Sequence, residues 1–271
     1  MQSLGKHLNW ISSVNRSAAA IAMAIVAALA LGGAQTAQAQ TFSLIHTFTG
    51  GMDGAAPEAG LTLDAGGNLY GTASAGGTAG AGAVYKLTRK GTGFTLNPLY
   101  SFAGGNDGIA PIARVVFGPN GTLYGTTSDQ GEGGGAVGTV FNLGPPATVC
   151  KAVLCPWNEK VLHRFSGSGG DGFIPGYGDL LFDKSGNIYG TTNADGAHNK
   201  GNVFKLSPSA NGWIYTDLYD FTGGSDGRNP ISSVVIDAQG KLYGTASRGG
   251  SGPCTNMYYG NGCGVVWEIT P

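Results

Sequence analysis

Few residues in this chain of 271 have the type and spacing to do chemistry. Asp53, Asp107, Asp171 and Asp226 each stand in a Gly-x-Asp-Gly element. Carboxylates converging on one axis suit a hard divalent cation such as Ca2+. An Asp flanked by glycines also accepts hydrogen bonds from its own turn. Presence in every copy favours this structural role, because a turn must be rebuilt each time whereas a catalytic group need not be. Arg114 and Asp179 behave differently. At one position the copies read Gly60, Arg114, Asp179 and Ser233, so these two break the repetition. They are expected to pair with each other or to hold a polar ligand, and pairing is favoured. Met257, Tyr258 and Tyr259 lie in an insertion, where they either face a sugar or pack the loop.

The histidines do not form a catalytic set. His46 and His163 occupy equivalent places where the other copies have Tyr100 and Tyr219, and His198 stands alone. No Ser-His-Asp order, His-x-x-x-His spacing or phosphate-binding loop occurs. A glycosidase-type carboxylate pair has no support beyond the abundance of aspartates.

The elements that must position these residues are read from internal repeats. Leu69-Tyr70-Gly71-Thr72 returns as Leu123–Thr126, Ile188–Thr191 and Leu242–Thr245. Each Gly-x-Asp-Gly is followed by a proline, at Pro57, Pro111, Pro175 and Pro230. A Val-aromatic pair keeps the same beat at Val84-Tyr85, Val140-Phe141, Val203-Phe204 and Val266-Trp267. The first copy holds four strand-like segments, Leu61–Asp64, Asn68–Ser74, Ala83–Thr88 and Phe94–Phe102, with tight turns such as Asp64–Asn68 between them. Four short antiparallel strands per repeat describe one blade of a β-propeller. The expected fold is therefore all-β, a propeller of four blades with four antiparallel strands each. Phe42–Phe48 has the pattern of a fourth strand, and the chain stops after a third strand, Val265–Thr270. Pairing of the two would close the ring and remove two exposed edges. A monomer is favoured, and an open half-ring that dimerises into eight blades is the alternative.

Lys6, Arg16, the apolar run Ala18–Leu31 and the small-residue site Ala37-Gln38-Ala39 describe a Sec-type bacterial signal peptide over residues 1–39. The apolar run is too short to span a bilayer comfortably. Residues 40–271 then form a single domain, with repeats at about 42–93, 94–158, 159–212 and 213–271. The expectation is a secreted or periplasmic protein with no membrane insertion after cleavage. Charged residues make up 11% of the chain and the formal net charge is −1, so nothing points to nucleic acid or an anionic membrane. The 50 glycines follow no collagen-like period and punctuate apolar segments, as turns do in all-β proteins.

All four cysteines lie in the exported part, which favours disulfides. Cys150 and Cys155 fall between third and fourth strands, and Cys254 and Cys263 between second and third strands. Those connections sit on opposite faces, separated by a strand of about 17–20 Å. Bonded cysteines need α-carbons within about 7 Å. The expected pairs are Cys150–Cys155 and Cys254–Cys263, and four thiols that cannot converge make zinc the weaker reading.

The Leu-Tyr-Gly-Thr, Gly-x-Asp-Gly and Val-aromatic pattern over residues 41–270 resembles the GloVer tandem-repeat proteins of bacteria. The chain departs from that family's variable carboxyl-terminal anchor by reaching Pro271 without an anchor segment. The Asp-x-x-Gly-Asn-(Leu/Ile)-Tyr turn is similar, more weakly, to NHL-type propellers. The resemblance implies a repeat fold and export, and no mechanism. The long connections between second and third strands share a face with the Gly-x-Asp-Gly elements, and a ligand is expected there. The preferred expectation is a non-enzymatic binding or scaffold module for a glycan or another cell-envelope component. The alternative is a hydrolase or lyase using a divalent cation, Ca2+ for instance, on the propeller axis.

Overall fold

The computed structural model describes residues 40–129, 138–147, 155–167, 170–256 and 260–270. The signal-peptide expectation for residues 1–39 and the Met257–Tyr259 expectation lie outside these residues. Residues 45–271 pack as one unit, and it carries every sheet described here.

Each repeat folds into one antiparallel sheet. The first holds β1 (Thr62–Leu63), β2 (Leu69–Ala73), β3 (Ala83–Lys90) and β4 (Gly93–Ser101) in that order. The second holds β5 (Val116–Phe117), β6 (Leu123–Thr127), β7 (Thr139–Gly144) and β8 (Asn158–Arg164). The third holds β9 (Leu181–Phe182), β10 (Ile188–Thr192), β11 (Asn202–Ser209) and β12 (Gly212–Asp220). In the fourth, β13 (Arg228–Pro230) and β14 (Val235–Ile236) lie along one edge of β15 (Leu242–Arg248). A small hairpin, β16 (Thr255–Asn256) and β17 (Gly260–Asn261), precedes β18 (Val265–Ile269) on the other edge of β15. The helical element among the described residues is a single 3-10 turn, Gly105–Asp107.

The sequence markers are packing devices. Strand register sets Gly71 opposite Tyr85, Gly125 opposite Phe141, Gly190 opposite Phe204 and Gly244 opposite Trp267. The ring lies over the glycine, and a Cβ at Gly125 would stand 2.6 Å from Phe141 Cζ. Side chains alternate across a strand, so Val and the aromatic face opposite ways. Val140 packs in the cluster with the third sheet, and Phe141 in the cluster with the first. The fourth-strand Phe of each repeat meets the aromatic of the next. Phe102 lies 5.2 Å from Phe141, Phe165 5.2 Å from Phe204, and Phe221 6.1 Å from Trp267. Three apolar clusters thus join the first sheet to the second, the second to the third and the third to the fourth.

A second joint is made by backbone. Ala56, Ala110, Ile174 and Asn229, each just before the marker proline, adopt left-handed φ between 52° and 56°. Such residues cost about 1–3 kcal/mol each and persist only where the surroundings over-determine them. Here the bend seats Pro111 on Gly82, Pro175 on Gly138 and Pro230 on Gly201, so near that a Cβ on those glycines would stand 2.5–2.7 Å from the proline Cδ.

The expected closure is not made. Residues 40–49 form no strand, and among the described residues β18 pairs with β15 alone. The segment nevertheless makes the contacts that the end of β4 makes to the repeat after it, Tyr100 to Asp107 and Phe102 to Phe141. His46 Nε2 lies 3.1 Å from Asp53 Oδ2, and the Phe48 ring lies 5.0 Å from Tyr85, so both residues are fastened to the first repeat. Cys254 and Cys263 are bonded, with α-carbons 5.1 Å apart, as spacing and topology require. Cys155 is also disulfide-bonded, while Cys150, its expected partner, lies outside the described residues.

Candidate functional site

The short strands β1, β5, β9 and β14 form the first edges of their sheets, and the unrepeated polar residues gather just before them. Arg114 leads into β5 and Asp179 into β9. The guanidinium meets the carboxylate side-on, with Nη2 2.6 Å and Nε 3.0 Å from Asp179 Oδ2. The Arg114 amide donates to Asp179 Oδ1 at 3.2 Å, so one carboxylate fixes both backbone and side chain. The Asp179 amide in turn donates to Ser233 Oγ at 3.0 Å. On the other side a Cβ at Gly60 would stand 3.6 Å from Arg114 Cδ. One position from each repeat therefore forms a continuous row across all four sheets. The Arg114 side chain keeps 42% of its surface exposed, so it is held in place and still open to solvent.

The repeated aspartates are engaged in their own connections. Asp53 accepts from the Thr49 amide at 2.9 Å, the Thr49 hydroxyl at 2.6 Å and His46. Asp107 accepts from the Ala103 amide at 2.6 Å and Tyr100 Oη at 2.9 Å. Asp171 accepts from the Ser166 hydroxyl at 2.7 Å and from its amide. Asp226 accepts from the Thr222 amide and hydroxyl and from Tyr219 Oη at 3.0 Å. Burial acts to raise the Asp53 and Asp226 carboxyls, but the donors from Thr49 and Thr222 outweigh it and hold both below the usual range. Among the described residues, no three His, Cys, Asp or Glu side chains are grouped so as to hold a metal ion.

This arrangement explains the alternation of His and Tyr that spacing alone does not. Tyr100, Tyr219 and His46 all donate to the aspartate of the following connection. His163 stacks on Tyr215 at 4.5 Å, and its Nε2 lies 3.4 Å from Asp171 Oδ2. Burial pushes the His163 pKa down, against the pull of Asp171.

Two further groups were missed in the sequence, although a break in symmetry marks one of them. Position 96 is Leu in the first repeat, whereas its counterparts are Glu159 and Tyr215. Glu159 is half-buried with Oε1 unpartnered, and burial, then the charge of Asp107, pushes its pKa up from 4.5 to about 7. On β12, burial and then the neighbouring Asp220 push Asp217 up to about 7. The folded Glu159 keeps a proton that the unfolded chain releases. Its favourable contribution is complete below about pH 4.5 and is lost as pH rises through 7. Glu159→Gln keeps the shape and cannot ionise. Urea unfolding should show it more stable than the parent at pH 8 by about 1–2 kcal/mol, after allowance for solvent screening, and equal at pH 4. Equal stability at both values would contradict this.

A family model described as Gloeobacter/Verrucomicrobia repeat matches residues 34–258. The chain belongs to that family. The residues matched by this GloVer model contain the first three sheets and β13 to β15 of the fourth. No curated protein matches the chain. Among solved structures, a putative oxidoreductase (glucose dehydrogenase) from Thermus thermophilus is similar at 14% identity, over 79% of this chain and 83% of that one, with a TM-score of 0.33. Among the described residues of this GloVer-repeat chain, no helix is long and apolar enough to cross a membrane.

Proposed function

We propose that the chain is an exported binding scaffold whose sheets are propeller blades, with its ligand held at the inner-edge row. The ligand class is a glycan or another polar component of the cell envelope. One observation carries the reading: Arg114, Asp179 and Ser233 form a polar line that crosses three sheets and belongs to no repeated device. A pre-oriented guanidinium on a rigid strand end costs little to order on binding. The repeated aspartates hold their turns, which leaves recognition to residues that differ between copies. The Cys254–Cys263 bond is compatible with an oxidising compartment.

A glycan array probed with the exported chain, alongside a broad hydrolase screen, tests the proposal. The expected result is retained binding to a defined glycan class that Arg114→Ala weakens at least tenfold, about 1.4 kcal/mol. Turnover that Arg114→Ala or Asp107→Ala abolishes would overturn it in favour of a cation-dependent hydrolase or lyase.

A further inference from the structure

Three joints between repeats are complete, and the same joint is half-built at each end of the array. Val84, Val140 and Val203 face the following sheet and are 0% exposed, whereas their counterpart Val266 is 81% exposed. Thr72, Thr126 and Thr191 are buried on that face, and Thr245 is exposed. On the opposite side, Pro111, Pro175 and Pro230 are buried against the preceding repeat, and Pro57 is exposed. Leu63, the counterpart of the inward-packed Phe117 and Phe182, is 64% exposed. Gly264 has the positive φ of Gly82, Gly138 and Gly201, and among the described residues no proline sits on it.

We infer that these two end faces are the halves of a head-to-tail contact with a second copy of this chain. The complementarity is internal. The first face is built like the three that already receive a preceding sheet, and the last like the three that already receive a following one. Among the described residues nothing covers Leu63 or Val266, so these two faces stay open within one chain. Two copies docked reciprocally use all four ends and close the assembly, as a heterologous contact must if it is not to grow into a filament. The unpaired edge of β18 would receive a strand in the same step. Phe48 already rests on Tyr85 as Phe102 rests on Phe141. Docking therefore sets residues 42–48 of one copy, with their fourth-strand pattern, beside β18 of the other.

Light scattering on the exported chain across a dilution series tests this without reference to any ligand. The expected mass is that of two copies. Val266→Asp and Leu63→Asp should each give the mass of one copy with an unchanged circular dichroism spectrum, because both side chains face solvent within one chain. Mixing the two variants should restore a two-copy species, since each retains one intact end. A one-copy mass for the unmodified chain, or a two-copy mass that neither substitution lowers, would overturn the inference.

Discussion

Phe204→Ala is expected to lower the unfolding free energy by about 3–5 kcal/mol, the usual cost of deleting a fully buried Phe. The ring is 0% exposed and stands where three elements meet. Phe165 approaches it edge-on at 5.2 Å, Tyr215 stacks on it at 6.1 Å, and Gly190 lies beneath it in the β10–β11 register. Removing it opens a cavity between the second and third sheets that rigid strands cannot refill. Urea unfolding at pH 7 should show an earlier midpoint with an unchanged slope. Val266→Ala, by contrast, removes an exposed side chain and should cost no more than about 0.5 kcal/mol in one-copy protein.

Gly190→Ala should cost about 1–3 kcal/mol, the range for overpacking a filled core. Alanine normally stabilises relative to glycine by restricting the unfolded chain. Sterics reverse the sign at this position. The new methyl would stand 2.6 Å from Phe204 Cζ and 3.2 Å from Leu180 Cδ2, and both neighbours are themselves buried. The same unfolding measurement checks it, and a midpoint equal to or above that of the parent would contradict the argument.

Much of the fold was legible in the sequence because each marker answers a local demand that recurs. Tyr-Gly-Thr encodes a strand passing beneath an aromatic, and Val-aromatic encodes a strand between two sheets. The strands expected at Asn68–Ser74 and Ala83–Thr88 lie within two residues of β2 and β3. The turn aspartates were legible as turns. Their bonds to the tyrosine six residues on, Asp64 to Tyr70 at 3.0 Å and Asp183 to Tyr189 at 3.1 Å, were not, because they need the folded hairpin. The second repeat shows why that tyrosine matters for packing as well. Gly118 replaces the aspartate there, and Tyr124 is still buried, against Phe182 at 4.8 Å.

What could not be read depends on contacts between repeats. The left-handed bend at Ala110 or Ile174 makes sense only once a proline must reach the glycine of the sheet before it. The contacts of His46 with Asp53 and of Phe48 with Tyr85 match the fourth-strand pattern, whereas the absence of a strand over residues 40–49 does not follow from it. Glu159 illustrates the same limit for chemistry. Its spacing marks a polar residue on an outer strand, whereas its retained proton follows from burial beside Asp107. In the row before the first strands, Arg114 and Asp179 stood out as breaks in symmetry. The amide of Arg114, and the extension of the row to Ser233, emerged only from the stacked sheets.

If the recurring glycine and aromatic are one device, their effects on stability must be coupled. A double-mutant cycle over Gly190→Ala and Phe204→Ala measures that coupling by urea unfolding of the parent, the two single variants and the double variant. With the ring gone, the added methyl has room, so the double variant should be more stable than the sum of the single losses predicts, by about 1–2 kcal/mol. Losses that add to within about 0.5 kcal/mol would mean the two residues do not meet, and the register on which the stacked repeats are built would be wrong.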